Sequence, residues 1–321
     1  MAKTYIISHA EDVDGISSAA IALAANPGAK FKLVDYTTLI KALSKIPSGV
    51  TDLVICDLGA SSVFSEFTVA LKNLSRRMAI TYIDHHPLKP EQIQTLRDIG
   101  INTVHDTTES ASTLTYFAFN LKGSSQYYLP IYGAVTDYMD NGPRAAELID
   151  RVHRHFALLE ATLLSSAIAQ GATLQYRNHI VRELAVGKYP HEIKTVVRNA
   201  AITLRKDVKL TSYVEQHRVI TGKVASIAMP EGRSIPASAK ILLGAPGIVA
   251  GVAYEQKTRG KTVMSLRGIR SCPVHLGDFI GDFTQKTGGR GGGHRLAAGA
   301  KVPVNKVPAV ITQLSLKLGD D

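Results

Sequence analysis

Aromatic residues and cysteine are both scarce in this chain. It has no tryptophan, and Phe, Trp and Tyr together make up 6% of its 321 residues, which argues against a broad surface that stacks many nucleobases. Its two cysteines are Cys56 and Cys272. They are too few for a disulfide framework and do not have the spacing of a metal-binding pair, so we expect a reducing compartment.

Long apolar runs are also missing. No stretch approaches the ~18 residues needed to cross a membrane, and the first residues lead into a strand pattern without the basic and apolar segments of a leader. The chain has no glycine-rich nucleotide loop followed by lysine, which disfavours an ATP-hydrolysing motor. These absences predict a cytoplasmic protein with no membrane partner.

The residues that are present indicate a globular protein of about two domains, at ~100–200 residues each. Hydrophobic residues make up 45% of the chain, enough to give both domains a core. Lys and Arg number 37 against 27 Asp and Glu, which leaves a net charge of +10. The basic residues are spread along the chain, so this charge favours an anionic partner without identifying it.

The order of apolar and helical segments predicts an α/β fold. Short apolar strands alternate with helical patterns in the first part of the chain, which is typical of a doubly wound, mostly parallel sheet. We expect this domain over residues 1–185, a helical and basic connector over 186–208, and a smaller α/β domain over 209–321, with a cleft between the domains. A strand is expected over 217–224, and a turn at the glycines that follow residue 287.

Polar side chains follow several of the predicted strands. The apolar stretch that begins at Met78 ends in Asp84-His85-His86, where Pro87 prevents the strand from continuing. Other acidic and histidine residues follow other buried segments: His9, Asp12 and Asp14, then Asp57, and later Asp137. Because the carboxyl ends of adjacent parallel strands lie at one edge of a sheet, we expect these side chains to converge there.

Such a cluster of carboxylates requires a cation. Carboxylates gathered in one crevice repel one another unless divalent ions neutralise them. Oxygen and imidazole donors without thiolates suit Mn²⁺ or Mg²⁺, and Mn²⁺ matches the histidines better. Two such ions ~3.5–4 Å apart, bridged by one carboxylate, activate water and stabilise the leaving oxygen of a displacement at phosphorus. The residues therefore predict metal-dependent phosphoester hydrolysis.

In this order, the residues resemble those of the DHH phosphoesterases, a family that includes RecJ-like exonucleases, oligonucleotide-degrading nanoRNases and cyclic-dinucleotide phosphodiesterases. The resemblance spans nearly the whole chain. It rests on Asp12-Val13-Asp14-Gly15, Asp57, Asp84-His85-His86, Asp137, and the Gly291-Gly292-Gly293-His294 segment of an associated carboxyl-terminal domain.

The resemblance implies two Mn²⁺ ions, with Mg²⁺ as a substitute, and a role for each residue. The implied ligands are Asp12 for one ion, Asp14 for the other, Asp57 as the bridge, His85 and Asp137 for the second site, and His9 for the first. Asp84 then orients a ligating imidazole, and His86 contacts the scissile phosphate. Many relatives have one or three residues between the first histidine and the first aspartate, whereas Ala10 and Glu11 separate His9 from Asp12. Because of this departure, a second interpretation stays open, in which His9 lies beside the site and binds no metal.

The second domain is expected to bind the substrate. Consecutive glycines let backbone N–H groups approach a phosphate closely, and the resemblance assigns Gly292, Gly293 and His294 to the end of the nucleic acid. Ser265 and Arg267 match a phosphate- or base-contacting pair of the family, and Arg290 is a further cation beside the glycines.

These inferences together predict a phosphodiesterase that hydrolyses short oligonucleotides or linear dinucleotides to 5′-mononucleotides. Three alternatives stay open: a RecJ-like exonuclease on longer single-stranded DNA or RNA, a cyclic-dinucleotide phosphodiesterase, and a replisome scaffold. The expected partner is a short single-stranded nucleic acid or dinucleotide. A homodimer and an association with replication or repair proteins are further expectations from the resemblance.

Overall fold

The chain divides into two units between Leu204 and Arg205. The computed structural model describes residues 3–121, 125–171, 173–257 and 260–319. The division lies inside a long helix, α10 (Lys194–His217). The residues 186–208, expected as a connector, comprise the end of a preceding loop, a short 3₁₀ turn at Pro190–Glu192, and the first part of α10.

The first unit contains a parallel sheet. Its strands are β1 (Thr4–His9), β2 (Lys30–Val34), β3 (Asp52–Cys56), β4 (Ala79–Asp84) and β5 (Asn102–His105). They lie in the order β2-β1-β3-β4-β5, and every neighbouring pair is parallel. The predicted α/β fold with a doubly wound parallel sheet is confirmed.

Helices cover both faces of this sheet. They are α1 (Val13–Ala25), α2 (Leu39–Leu43), α3 (Phe64–Ser75), α4 (Pro90–Asp98), α5 (Ala111–Ala118), α6 (Leu129–Thr136), α7 (Pro143–Asp150), α8 (Arg154–Gln170) and α9 (Leu174–Ala185). Successive strand residues point to opposite faces, so Ile6 packs in one cluster with residues of α1 and α5, and Ile7 in another with residues of α2 and α3. The strands are therefore apolar on both faces, and this is why each of them is a short continuous run of apolar residues in the sequence.

The second unit contains a mixed sheet. Its strands are β6 (Val219–Thr221), β7 (Val224–Ala228), β8 (Ala250–Gln256), β9 (Lys261–Gly268), β10 (Arg290–Gly293) and β11 (Ala297–Pro303), and its helices after α10 are α11 (Ile235–Ile241), α12 (Leu276–Thr287) and α13 (Val307–Leu318). The strand order is β10-β11-β9-β8-β7-β6, and β7 with β8 is a parallel pair between antiparallel ones.

Two expectations for this unit are wrong. The strand expected over 217–224 is two strands, because His217 ends α10 and a turn at Gly222, with φ of 53°, reverses the chain between β6 and β7. The glycines expected to form a turn are instead the edge strand β10, which pairs with β11. Edge pairing needs only backbone atoms, so a run of glycines forms it without any side-chain contribution.

Helix α12 packs directly on this glycine strand. A Cβ on Gly277 would lie 2.0 Å from the carbonyl oxygen of Gly293. At the same point the backbone N–H of Leu276 donates to the carbonyl of Arg295 at 2.9 Å, and that of Gly277 to the carbonyl of His294 at 3.1 Å. The first turn of α12 thus fixes the backbone at His294.

Within the described residues, no helix combines the length and the apolar character that crossing a membrane requires.

Two glycines of α12 provide a matched test of this packing. We expect Gly277→Ala to lower the free energy of unfolding of the second unit by about 1–3 kcal/mol, because its methyl group overlaps the Gly293 carbonyl. At Gly281 a methyl group would have its nearest neighbour 3.7 Å away, so Gly281→Ala should raise that free energy by about 0.5–1 kcal/mol through helix propensity. Urea unfolding of both variants measures the difference. Equal effects at the two positions would contradict the packing argument.

Candidate functional site

Three carboxylates surround the imidazole of His85 at the carboxyl edge of the parallel sheet. His85 Nε2 lies 3.3 Å from Asp57 Oδ1, 3.7 Å from Asp137 Oδ2 and 3.9 Å from Asp14 Oδ2. Asp57 follows β3, His85 follows β4, and Asp14 lies in the first turn of α1 after β1. Adjacent parallel strands thus bring these side chains together, as their sequence positions indicate.

Asp57 is the least compensated of these acids. Its side chain is 1% exposed, and neither carboxylate oxygen has a hydrogen-bond partner among the described residues. Burial raises the pKa of Asp57 well above its usual value, and the negative charges of Asp12, Asp14 and Asp137 raise it further. A buried carboxylate without a partner is unfavourable as an anion, so this position fits a bound cation.

Asp14 is held by backbone amides. Its oxygens accept hydrogen bonds from the N–H groups of Ala111 at 2.7 Å and Ser112 at 2.9 Å, in the first turn of α5. Gly133 of α6 makes room for the carboxylate, since a Cβ there would lie 2.1 Å from Asp14 Oδ1. Amides at a helix start stabilise a negative charge. Each carboxylate oxygen still has a lone pair available to a second partner.

Asp137 follows helix α6 rather than a strand. Its backbone N–H donates a hydrogen bond to the carbonyl of Gly133 in this helix, and Asp137 is the residue that caps the helix. Burial raises the pKa of Asp137 well above its usual value, and the charges of Asp14 and Asp12 add to the effect. The pKa of Asp137 is thus shifted in the same direction as that of Asp57, although the side chain of Asp137 is 23% exposed.

His9 and Asp12 lie together at the end of β1. His9 Nε2 is 3.3 Å from Asp12 Oδ2, while Asp12 Oδ1 accepts the N–H of Gly15 at 2.9 Å and caps α1. His9 Nδ1 is buried and has no hydrogen-bond partner within the described part of the chain. The structure therefore places an unsatisfied imidazole nitrogen beside the first aspartate of the motif.

Potential ligand atoms fall into two groups among the described residues. Asp57, His85 and His86 form one, and Asp14, His85 and Asp137 form the other, each with its atoms within 4.8 Å of one another. His85 belongs to both groups, whereas the expected bridge Asp57 belongs to one. His9 and Asp12 belong to neither. Oxygen and imidazole donors of this kind fit Mn²⁺ or Mg²⁺.

Asp84 contacts His86, not His85. Asp84 Oδ1 lies 2.9 Å from His86 Nδ1, and Tyr82 donates its hydroxyl to Asp84 Oδ2 at 2.8 Å. Residues two apart in a strand point to the same side, so Asp84 shares a side with Tyr82, and His86 contacts it from the loop that follows β4. Burial opposes ionisation of Asp84, but the hydrogen bond and charge of His86 bring its pKa below the usual value. The resemblance implies that Asp84 orients a metal-ligating imidazole, whereas the imidazole that it contacts is that of His86, the residue expected to contact the phosphate.

Met139 and Tyr36 are two site residues that sequence patterns did not single out. Met139 Sδ lies 3.1 Å from His85 Nδ1, which directs Nε2 of that ring toward the carboxylates. The hydroxyl of Tyr36 lies 3.0 Å from His86 Nε2. Tyr36 stands two residues after the end of β2, so the same rule of strand ends that found the acids would have found it.

The second unit has a cavity of about 390 Å³ beside the glycine strand. Of the expected substrate-binding residues, it is lined by Ser265, Arg267, Gly293 and His294. Arg267 donates from Nη1 to Ser265 Oγ at 2.9 Å, which fixes the guanidinium. The remaining wall is mostly apolar and includes Ile235, Pro236, Val263 and Met264, which sequence patterns did not indicate.

Two further expected residues lie on β10 outside that lining. The position of a Cβ on Gly292 has no atom within 4 Å, so a ligand has room to approach its backbone. Arg290 is exposed and begins the strand opposite Lys301. The structure thus brings four of the six candidates to one cavity and leaves Arg290 and Gly292 beside it.

Comparison with protein families gives two matches that cover most of the chain. The N-terminal domain of the DHH family matches residues 3–141, and the DHHA1 domain matches residues 211–320. The chain belongs to the DHH family. It is a DHH phosphoesterase, from a family of hydrolases that act on phosphoester bonds. A search of the curated proteins gives no match.

Several solved structures share the DHH and DHHA1 architecture. The pGpG-specific phosphodiesterase PggH of Vibrio cholerae has a TM-score of 0.59 at 13% identity, with 98% of both chains covered. The DHH domain of a protein assigned to the s1p family of ribosomal proteins has a TM-score of 0.73 at 14% identity, covering 99% of this chain and 86% of that one. RecJ of Thermus thermophilus in complex with Mn²⁺ has a TM-score of 0.63 at 14% identity, with 98% of this chain but 52% of RecJ covered. At identities this low, the similarity establishes that the chains share a fold and does not establish a shared activity.

A substitution at Asp57 tests the cation site of this DHH unit. We expect MnCl₂ at about a hundredfold excess over its Kd to raise the melting temperature of the first unit by about 5–10 °C. Asp57→Asn should remove most of this increase, because it removes the carboxylate that has no hydrogen-bond partner among the described residues. Asparagine tolerates the positive φ of 55° at this position. Differential scanning calorimetry with and without Mn²⁺ measures both values.

Without metal, the same variant should not destabilise the protein. Metal-free Asp57→Asn should be at least as stable as the metal-free wild type at pH 8, because it removes a buried anion. Since the raised pKa means that Asp57 takes up a proton as the pH falls, this advantage should shrink toward pH 5. Asp98→Asn, an exposed acid at the end of α4, is the control. A metal-free Asp57→Asn that is clearly less stable than wild type at pH 8 would sink the assignment.

Proposed function

We propose that this chain is a Mn²⁺-dependent phosphodiesterase that hydrolyses short oligonucleotides or linear dinucleotides to 5′-mononucleotides. The observation that supports it most is the buried carboxylate of Asp57, which has no hydrogen-bond partner among the described residues and lies with further carboxylates around His85. A structural core gains nothing from such an arrangement, since it costs desolvation and mutual repulsion. A site that binds divalent cations requires it.

The residues of the first unit have distinct roles in this proposal. Asp14, Asp57, His85 and Asp137 hold the cations, and Asp12 with His9 completes the site at the end of β1. Bound divalent ions supply an activated water and neutralise charge on the phosphoryl group. His86 donates a hydrogen bond to a phosphoryl oxygen, and Asp84 keeps the imidazole in place for this contact. The same hydrogen bond and charge from Asp84 outweigh burial and raise the pKa of His86, which favours the donor form.

The cavity of the second unit supports a small substrate. Its volume of about 390 Å³ is near the lower end of the usual range for small-ligand sites, about 300–1,000 Å³. Arg267, Ser265 and His294 suit a phosphate or the polar edge of a base, and the apolar wall with Ile235 and Pro236 suits the flat face of a base or a ribose. The Arg267–Ser265 hydrogen bond preorganises the charged end of this cavity.

The similar structures include an enzyme for a short substrate. The pGpG-specific phosphodiesterase, which is named for a linear dinucleotide, aligns over 98% of both chains, and the chain spans 52% of RecJ. The first of these similarities supports short, linear substrates, of the nanoRNase type. RecJ has been crystallised with Mn²⁺ and with Mg²⁺, in agreement with the donor set found here.

A RecJ-like exonuclease on longer single-stranded DNA or RNA is the second candidate. It is favoured by the net charge of +10 and by basic residues exposed along α10, which are Lys194, Arg198, Arg205, Lys206 and Lys209. A row of cations attracts a phosphate backbone irrespective of sequence. Cyclic-dinucleotide hydrolysis and a scaffold role remain the further alternatives, and a scaffold role does not require bound cations.

Substrate length separates these functions. We expect a time course with Mn²⁺ on end-labelled single strands of about two to twenty-five nucleotides, in DNA and RNA and beside a cyclic dinucleotide, to show rapid cleavage of the shortest linear species, because the cavity admits about one nucleotide. A processive ladder on the longest strands would establish the RecJ-like activity instead. Absence of both Mn²⁺ binding in calorimetry and cleavage would leave the scaffold role.

Substitution of two arginines tests the substrate cavity. Arg267→Gln should raise KM for a dinucleotide by about tenfold or more, because a charge-assisted hydrogen bond worth ~1.5–3 kcal/mol is lost. Mn²⁺ affinity should stay within about twofold of wild type, since Arg267 lies in the other unit from the carboxylates. Arg290→Gln is the matched control, with an exposed guanidinium outside the cavity. A larger effect of Arg290→Gln on KM would indicate that the substrate binds along the edge strand β10 and not in the cavity.

A further inference from the structure

Hydrogen bonds connect the core of the first unit to its surface through four side chains. Tyr82 donates to Asp84 Oδ2 at 2.8 Å, Asp84 Oδ1 lies 2.9 Å from His86 Nδ1, and His86 Nε2 lies 3.0 Å from the hydroxyl of Tyr36. Tyr82 is fully buried, whereas Tyr36 is 39% exposed. The two nitrogens of His86 therefore face different partners, one in the core and one at the surface.

The chemistry of the partners fixes the direction of these bonds. An ionised carboxylate only accepts, so His86 Nδ1 must carry the proton that it shares with Asp84. When the ring is neutral, Nε2 accepts a hydrogen bond from the hydroxyl of Tyr36, and when the ring is protonated, Nε2 donates to that hydroxyl, so the contact is satisfied in both states. Tyr36 is thus the partner of Nε2 in the absence of substrate, and a phosphoryl oxygen takes the place of its hydroxyl when His86 donates from this nitrogen.

The ring of Tyr36 contacts a second residue of the site. It stacks on the imidazole of His9 with a centroid separation of 4.4 Å and an interplanar angle of 28°. The turn after β2 holds Tyr36 in this place, since Asp35 Oδ1 accepts the backbone N–H groups of Thr37 at 2.8 Å and Thr38 at 2.9 Å. One exposed tyrosine therefore bridges a histidine that follows β4 and a histidine that ends β1.

The opposite side of His86 is closed by backbone. A Cβ on Gly59 would lie 2.8 Å from Cγ of His86, so the ring packs directly against this glycine. With Asp84 on Nδ1 and Tyr36 on Nε2, rotation of the ring would break both hydrogen bonds. Of the residues that contact the ring in this way, Tyr36 has the most exposed side chain.

We propose that Tyr36 is a further positioning residue of this site, which sets the orientation of His86 through its hydroxyl and that of His9 through its ring. The proposal rests on the proposed phosphodiesterase activity, in which His86 contacts the phosphoryl group. Tyr36 acts through the two histidines and needs no direct contact with the scissile bond. Two substitutions separate its two contacts: Tyr36→Phe keeps the ring and removes the hydroxyl, and Tyr36→Leu removes both.

The first measurement uses metal-free protein and no substrate. In long-range ¹H–¹⁵N spectra of histidine rings, recorded at a pH high enough to keep the ring neutral, the His86 Nε2 resonance of the full-length wild type should show the acceptor nitrogen of the Nδ1–H tautomer. Tyr36→Phe should shift this resonance while the Nδ1 resonance, bonded to Asp84, changes little. The control is Tyr176→Phe, which removes a hydroxyl that donates to the backbone of Thr195 at 3.4 Å in the same unit. An unmoved Nε2 resonance in Tyr36→Phe would overturn the proposal.

The second measurement uses the Mn²⁺-loaded enzyme and a dinucleotide. Tyr36→Phe should lower kcat by about tenfold with KM within about twofold, which is the scale found when the partner of a site histidine is removed. Its Mn²⁺ affinity by calorimetry should match that of wild type, whereas Tyr36→Leu, without the stack on His9, should bind Mn²⁺ more weakly. A Tyr36→Phe enzyme with wild-type kcat would also overturn the proposal. If the wild type hydrolyses no nucleotide, the proposed function fails, and the resonance of His86 alone decides the role of Tyr36.

Discussion

Negative charge buried at the end of a parallel sheet is the constraint on which the first unit depends. Asp14, Asp57 and Asp137 lie around one imidazole, and of these acids Asp14 and Asp57 are buried while the side chain of Asp137 is 23% exposed. The protein compensates two nearby acids itself, since amides of α5 bind Asp14, and Tyr82 with His86 binds Asp84. Among the described residues, neither carboxylate oxygen of Asp57 has a hydrogen-bond partner, although His85 Nε2 lies 3.3 Å from Oδ1. This difference between neighbouring carboxylates distinguishes a site for external cations from a network that serves only the fold.

Glycine residues without any chemistry of their own make this convergence possible. A Cβ on Gly15 would lie 2.4 Å from the carbonyl oxygen of His9, and one on Gly133 would lie 2.1 Å from Asp14 Oδ1. Each allows a backbone or a carboxylate to approach more closely than any side chain permits. The positions of the acids therefore depend on α1 and α6 as much as on the strands that the acids follow.

The sequence predicts most of the first unit because two simple regularities suffice. Short apolar runs separated by helical patterns specify a parallel sheet, and the carboxyl ends of its strands specify where polar residues meet. Applied to β2 as well, the second rule leads to Tyr36, and the alternation of side chains in β4 leads from Tyr82 to Asp84. The sequence therefore contains the signals for these residues. Tyr36 and Asp84 contact the histidines of the site and are not among its candidate metal ligands.

Other features are invisible in the pattern of residues. Nothing local indicates that Ala111 and Ser112 would present amides to Asp14, because that contact joins segments about a hundred residues apart and depends on how α5 packs. The prediction of a turn at the glycines of β10 is wrong for a related reason. A glycine run is a flexible loop by propensity, yet β11 and α12 provide the backbone partners that make it a strand.

The conformation of Asp57 links cation binding to the stability of its own unit. Its backbone N–H donates to Ile83 at 3.0 Å in the neighbouring strand, while its φ of 55° lies in the left-handed region. Such a conformation costs about 1–2 kcal/mol outside glycine, and the repulsion from nearby acids adds to this cost. A cation offsets the repulsion and leaves the strand pairing unchanged. The close packing of the second unit, in contrast, depends on the contact of Gly277 with Gly293, in which no charged group takes part. Cation concentration should therefore alter the stability of the unit that contains Asp57.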